Sequence, residues 1–459
     1  MLSESLERLS LLHPKLIDLG LGRTYQLLKK AGSPHQNLPP IFHIAGTNGK
    51  GSVSAYLFAI AKQLGLKTHC YTSPHLCRFN ERIRIANNLI DDEALLKVLD
   101  EVEKLNQNTP ITFYEITTVA AFMAFARIPA DLLILETGLG GRLDATNVIE
   151  NPLASIITPI ERDHEHFLGS ELTQIAGEKA GIIKKNVPVI SASQTNEVGE
   201  TLKNKAREMN APIFFEGADF IWEQMSTGEV KLECKNRVFT LPTPSLIGPH
   251  QIQNAALAAA SVIYSNNFTP MDDRLFSGIE FAKWPGRVQF IDKGKLLNYR
   301  GERPIWIDGA HNSHSATALA ASLAKITDEK WTLIAGMLET RKPDDIFMPL
   351  KNLISEIFTI TIPGQVASLI LPADTAWNRT EAKAAPLPKI AAQPLDVEGV
   401  DSAAAALHSG KSTVILMNGI LTEARLILAN KIAQKTGARI ISDTFISRMR
   451  RGAGIPEIL

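Results

Sequence analysis

The stretch Ile41-Phe42-His43-Ile44-Ala45-Gly46-Thr47-Asn48-Gly49-Lys50-Gly51-Ser52 constrains this chain more than any other. An apolar run enters a glycine-rich turn with a lysine and a hydroxyl, and residues 53–64 follow with helical spacing. Strand, glycine turn and helix in that order make a phosphate cradle: glycines let backbone N–H groups face an anion, the helix N-terminus adds its dipole, and the lysine adds a full charge. The standard pattern G-x-x-x-x-G-K-[ST] wants glycine at position 44 and a hydroxyl at 51. Here Ile44 and Gly51 stand there, the first glycine is Gly46, and the hydroxyl slips to Ser52. Glycine turns without a ligand are common, so the loop alone does not decide.

The surrounding pattern alternates. Two short helices are expected before Pro39-Pro40, which stops any helix and admits the first strand. Residues 67–72 read as a strand ending in Ser73-Pro74-His75-Leu76, and residues 91–105 as a helix capped by Asp91 or Asp92. A second helix covers 117–127, followed by a buried strand at 131–138 that ends in Glu136 and glycines. Further strands at 153–160, near Asp163-His164, and at 187–192 complete the series. This predicts an α/β domain with a mainly parallel sheet and ligands at the carboxyl ends of its strands. The glycine loop, Ser73, Glu136 and His164 all fall there. Residues 214–241 alternate as antiparallel hairpin strands, and Gly248-Pro249-His250-Gln251-Ile252-Gln253-Asn254 opens an alanine-rich helix. The polar stretch 293–303 marks a boundary, giving domains 1–296 and 297–459. Beyond it, strands at 304–308, 331–335, 356–362 and 413–417 with helices between predict a smaller, Rossmann-like α/β domain.

Length agrees, since 459 residues at roughly 150 per domain make two or three. Lys+Arg and Asp+Glu are both 48, so no net field favours nucleic acid or an anionic membrane. Cys70, Cys77 and Cys234 form no metal spacing and no disulfide framework, which fits a reducing cytoplasm. The first residues lack a signal-peptide core, and the longest uncharged apolar run, 116–126, is too short to span a bilayer. A cytoplasmic protein acting on small molecules is expected, without nucleic acid or membrane partners.

Several side chains are candidates for chemistry. Glu136 beside a phosphate loop suits Mg²⁺, which takes oxygen ligands and bridges protein to phosphates. Asp163-His164-Glu165-His166 also admits a transition-metal reading, though no cysteine joins it. Arg142 and Asp144 share a loop next to Glu136, where a local ion pair is the plain expectation. Lys179 sits in the mostly apolar run Ala176-Gly177-Glu178-Lys179-Ala180-Gly181. It either snorkels to water or is buried at a cost, and the residues alone leave both open. Arg287 in Trp284-Pro285-Gly286-Arg287 suits phosphate charge, and Asp308-Gly309-Ala310-His311-Asn312 again puts polar groups just past a strand.

Together these motifs resemble the folylpolyglutamate synthase/dihydrofolate synthase family of the Mur ligase superfamily. The resemblance rests on residues 46–52, on Thr72-Ser73-Pro74-His75-Leu76, and on Glu136-Thr137-Gly138-Leu139-Gly140-Gly141-Arg142-Leu143-Asp144-Ala145-Thr146-Asn147. Asp163-His164 with Leu168-Gly169, Glu178-Lys179-Ala180-Gly181 and the 308–312 run complete it. It implies an ATP-dependent ligase, expected to be a monomer, that adds L-glutamate to dihydropteroate, folates or both through an acyl phosphate. Lys50 and the loop residues Gly46, Thr47, Asn48, Gly49, Gly51 and Ser52 would take the ATP phosphates. Asn254, Arg287, Asp308 and His311 would contact the nucleotide, and His311 would join Lys50 and Lys179 as a catalytic group. Ser73, Glu136 and His164 would hold magnesium, and Lys179 would be carbamylated. Thr112, Phe113, Tyr114, Asp144 and Ala145 would border the pterin. A muramyl-peptide ligase would need a UDP-sugar domain before the loop, and only 45 residues precede Gly46. A nucleotide-gated switch would need no acyl-acceptor site. Two departures stand out: Ile420 replaces the serine expected after Gly419, near the expected glutamate site, and Ser313-His314 stands where proline is common. The run 448–454 reads as a solvated basic tail.

Overall fold

The computed structural model describes residues 2–13, 17–268, 272–294, 304–336 and 343–360, and beyond these 371–372, 414–417, 431–432, 435 and 439–442. The chain forms two units, Met1–Gln289 with Ile307–Gly309, and Phe290–Trp306 with Ala310–Leu459.

In the first unit, helices α1 (Leu2–Ser10) and α2 (Gly22–Lys30) lead to strand β1 (Ile41–Ala45), buried throughout, and then to α3 (Lys50–Gln63). The chain continues through β2 (Thr68–Tyr71), β3 (Ile83–Ile85), β4 (Asn88–Leu89), α4 (Asp92–Asn106), α5 (Phe113–Arg127) and β5 (Leu132–Glu136). Then come β6 (Ala154–Ile157), α6 (Glu165–Leu168), α7 (Leu172–Ala180), β7 (Val189–Ser191), α8 (Asn196–Glu208) and β8 (Ile213–Phe215). These eight strands form one sheet in the order β4-β3-β2-β5-β1-β6-β7-β8. All pairings from β2 to β8 are parallel, and β3 and β4 add an antiparallel edge.

Both faces of the sheet are covered, which is why its strands read as unbroken apolar runs. Phe42, Ile44, Ile134 and Ile156 pack with α3 and with the buried alanines of α9 (Pro249–Ser265). Ile41, Leu133 and Leu135 face the other way, onto α4 and α5. Sandwiched there, α5 is buried along Glu115–Phe125 and shows no polar stripe, as expected of a helix covered all round. Its first turn is set by a capping box in which Thr112 Oγ1 accepts from Glu115 N and the Glu115 carboxylate accepts from Thr112 N.

Two details differ from the sequence reading. The expected hairpin region at 214–241 begins with β8, which instead extends the large sheet in parallel beside β7; the antiparallel sheet holds only β9 (Phe220–Gln224), β10 (Val230–Cys234) and β11 (Arg237–Leu241). The β3–β4 hairpin was not expected. Its turn places Ala86 and Asn87 at φ 45° and 76°, and alanine there gives none of the glycine signal such turns normally carry.

Two short strands, β12 (Gln289–Phe290) and β13 (Trp306–Ile307), pair where the chain passes between the units. The second unit has α10 (Ser313–Ile326), β14 (Trp331–Gly336), α11 (Pro343–Phe347), β15 (Ile354–Ile360), β16 (Leu371–Pro372), β17 (Val414–Met417) and β18 (Arg439–Ser442). Its β14–β15 and β17–β18 pairs are parallel, as alternation predicts, and β16 runs antiparallel to β15. Ile420 and the basic run 448–454 lie outside the described residues.

Candidate active site

The glycine turn is locked on all sides. Gly46 adopts φ 146° and Gly49 φ 93°, and a Cβ at Gly46 would lie 1.9 Å from Thr158 Oγ1. Thr47 N donates to Pro159 O (2.9 Å), while the Thr47 hydroxyl donates to Glu161 O and accepts from Glu161 N. The segment leaving β6 therefore holds the loop. From the far side Asn254 of α9, buried, brings Oδ1 to 2.6 Å from where a Gly49 Cβ would be. Lys50 Nζ folds back onto the carbonyls of Gly46 (3.1 Å) and Thr47 (3.2 Å). Helix α3 starts here with no side-chain cap, leaving its first N–H groups for an anion. The buried Ser52 hydroxyl has no partner.

Glu136 ends β5 almost fully buried, and Oε2 has no hydrogen bond. Burial lifts its carboxyl to about 7, against the pull of Lys50, Arg287, the Ser73 backbone N–H and Arg82. An unmatched carboxylate oxygen so placed, close to an unpartnered hydroxyl-bearing phosphate loop, suits a hard divalent cation. His164 stands before α6 at φ 53°, its N–H bonded to Asp163 Oδ1 (2.8 Å) and its ring 3.9 Å from the same oxygen. Among the described residues no three His, Cys, Asp or Glu side chains assemble as a metal cage.

Lys179 does not snorkel. It is 5% exposed, and Nζ donates to Gly46 O at 2.9 Å, the carbonyl that Lys50 also reaches. Burial first, and then the Lys50 charge, pull its pKa down to about 7; Asp163 and Asp144 oppose this. The strand-end loop 136–147 is fitted onto its helix backbone to backbone. A Cβ at Gly141 would meet Glu178 O at 2.7 Å, and one at Gly181 would meet Arg142 Cα at 2.3 Å. The expected Arg142–Asp144 pair is not formed: Arg142 instead binds Glu178 (2.6 Å) on α7. Asp144 is occupied by four donors, Gly138 N and Leu139 N on one oxygen, Thr146 N and Oγ1 on the other. Since Thr146 Oγ1 donates to Asp144, it accepts from His43 Nε2 (2.9 Å). The fully buried His43 is neutral, its pKa held down to about 3 by burial and Lys184.

Residues 44–262 match the Mur ligase middle domain family. The dihydrofolate synthase/folylpolyglutamate synthase of Bacillus subtilis is 35% identical over 373 residues, 77% of this chain and 82% of the relative. This chain belongs to the dihydrofolate synthase/folylpolyglutamate synthase family. The Escherichia coli family member is 30% identical over 364 residues, 79% of this chain and 82% of that protein. Mycobacterium tuberculosis folylpolyglutamate synthase, solved with ADP and AMPPCP, superposes with TM-score 0.69 at 31% identity, covering 78% of this chain and 82% of that one. A bifunctional folylpolyglutamate synthase/dihydrofolate synthase solved with Mn, AMPPNP and L-glutamate gives 0.70 at 29% identity, covering 82% and 86%.

The remaining sites expected of a dihydrofolate synthase/folylpolyglutamate synthase can be placed. Thr112 is the buried cap of α5, its hydroxyl hydrogen-bonded to Glu115, and Ala145 is buried at the start of a short 3₁₀ turn capped by Asp144. Of the five pterin candidates, Tyr114 keeps an unpartnered polar side-chain atom, its hydroxyl, raised well above the usual phenol range by burial and Asp144. Asp308 Oδ2 accepts from Val288 N (2.8 Å), and Arg287 Nη1 donates to Gly286 O (3.0 Å). His311 belongs to the second unit, with its N–H on Ser315 Oγ. Asn312 caps α10, accepting from Ser315 N (2.9 Å), so Ser313 holds the first helical position where the family's proline would also fit. The sequence reading missed His43, whose signal is a lone histidine inside an apolar strand, and Trp284, which carried none.

Proposed function

We propose that this family member is an ATP-dependent ligase joining the amine of L-glutamate to a carboxylate of dihydropteroate, of folates, or of both. Residues 1–296 carry the ATP site and residues 297–459 the second ligase domain. A carboxylate is a poor acyl donor. Transfer of the γ-phosphoryl group of ATP makes it an acyl phosphate; the glutamate amine then attacks the acyl carbon, and the C–O bond breaks to release phosphate as the C–N bond forms.

Lys50 and the backbone of residues 46–52 grip the phosphates and meet the charge of the transferring group. Asn254, Arg287, Asp308 and His311 contact the nucleotide. Ser73, Glu136 and His164 hold Mg²⁺, which when bound lends positive charge to the phosphoryl oxygens. Tyr114 offers its free hydroxyl to the pterin. Asp144, saturated by four donors, shapes that border with Ala145, as Thr112 does through the α5 cap.

The observation that carries this reading is Lys179 on the phosphate loop. Held close to neutral, its amine attacks CO₂, forms an N–C bond and loses a proton, replacing a costly buried cation with a carbamate anion. A nucleotide switch has no use for such a group. The test is phosphate release with ATP and Mg²⁺, offering dihydropteroate and a reduced folate in turn. Release that requires both acceptor and L-glutamate is expected. Release that needs neither would favour the switch instead.

A further inference from the structure

Gly51 occupies the position that a standard phosphate loop gives to serine or threonine. A Cβ there would lie 2.7 Å from Trp284 Cε2 and 2.8 Å from both Cζ2 and Nε1. Near-equal distances to three bonded ring atoms put the indole face, not its edge, over the Gly51 backbone. No side chain fits beneath it, so the loop's hydroxyl must sit one residue later, at Ser52.

The segment that follows Trp284 is pinned at Gly286, Arg287 and Val288. Gly286, at φ 71°, closes on Leu76 of the loop after Ser73, where a Cβ would stand 3.1 Å from Cδ1. Its N–H donates to Gln289 Oε1 (2.9 Å), and its carbonyl accepts from Gly309 N (3.0 Å) and Arg287 Nη1 (3.0 Å). Val288 N donates to Asp308 Oδ2. Arg287 and Asp308 thus hang from one short stretch whose anchor on the phosphate loop is the indole.

We propose that Trp284 is a positioning residue for the nucleotide site: seated on Gly51, it holds residues 284–287 against the phosphate loop and thereby sets Arg287 and Asp308. The inference rests on the nucleotide roles given above to those two residues. If the indole only filled space, its loss would lower the folded fraction and leave the affinity of folded molecules unchanged.

The test is calorimetric titration of the full chain with AMPPNP and Mg²⁺, alongside thermal melts, for W284A, W284F, R287A, G51S and the double variants. W284A should weaken binding about tenfold, W284F by less than about threefold because a flat ring remains, and W284A/R287A no more than R287A alone. G51S should also weaken binding, and cost less when W284A has already emptied the space. Unchanged affinity in folded W284A, or losses that simply multiply in the double variants, would overturn the proposal. Should W284A not fold, W284L keeps apolar bulk without a planar face and must show the same loss. Because AMPPNP binding is read without turnover, a failure of the ligase reading would appear separately, in wild-type phosphate release.

Discussion

At the residue scale, two lysines converge on one carbonyl oxygen, that of Gly46. Lys50 begins the helix that follows the glycine turn, and Lys179 arrives from α7 buried. Keeping both as cations is unfavourable, and the more buried one yields its proton, with a pKa of about 7 against 10.5 in water. Between those two values the unfolded chain keeps a proton the folded chain has lost. Stability of the unmodified protein therefore rises with pH from about 7 to 10.5, and below about 7 the full cost of the buried cation is borne. Urea unfolding across that window should show the slope, and K179M should flatten it. In turnover, K179A should lose on the order of 100-fold or more, the scale of removing one electrostatic group from a reacting centre. Acid-labile carbamate mass on the intact protein would identify the modification, and near-normal K179A turnover would count against any such role.

At the scale of elements, the site depends on how closely one loop and one helix meet. Gly181, the C-cap of α7, faces Arg142 Cα at a distance no Cβ can share, whereas Gly177, four residues earlier inside the helix, has nothing within 4 Å. G181A should destabilise by about 2 kcal/mol or more and pull Lys179 off the loop, reducing activity with it. G177A should instead gain about 0.5–1 kcal/mol from helix propensity with activity intact; urea midpoints and turnover of the pair check both. Which glycine mattered was not legible in the sequence, because the two differ only in what the fold brings opposite. The strand-then-glycine order was legible, since β1, β5 and β6 are apolar runs that end where polar residues begin. Asp144 shows the limit from the other side: its loop position suggested an ion pair with Arg142, yet its oxygens are spent on holding their own loop. The Ala86-Asn87 turn and the parallel edge strand β8 were invisible for a third reason, being fixed by their neighbours with little local preference of their own.

At the scale of the whole molecule, the first unit's phosphate loop gathers positions far apart along the chain: Gly46 with Thr158, Gly49 with Asn254, and Gly51 with Trp284. A nucleotide held there clamps segments that must separate on unfolding, so AMPPNP with Mg²⁺ at 100 times its dissociation constant should add about 2.7 kcal/mol of stability, read as a raised Tm. Among the described residues no helix is long and apolar enough to cross a membrane. The position of β1 in the sheet has one more consequence, in the timing of synthesis. Its partners are β5, where Ile41 meets Leu133, and β6, where Phe42 meets Ala154. A ribosome adding roughly 5–20 residues per second makes the last of these roughly 6–23 s after β1. Until β5 is made the strand has neither neighbour, and until β6 follows it has one, so the glycine turn exists as sequence before the strands that frame it are in place.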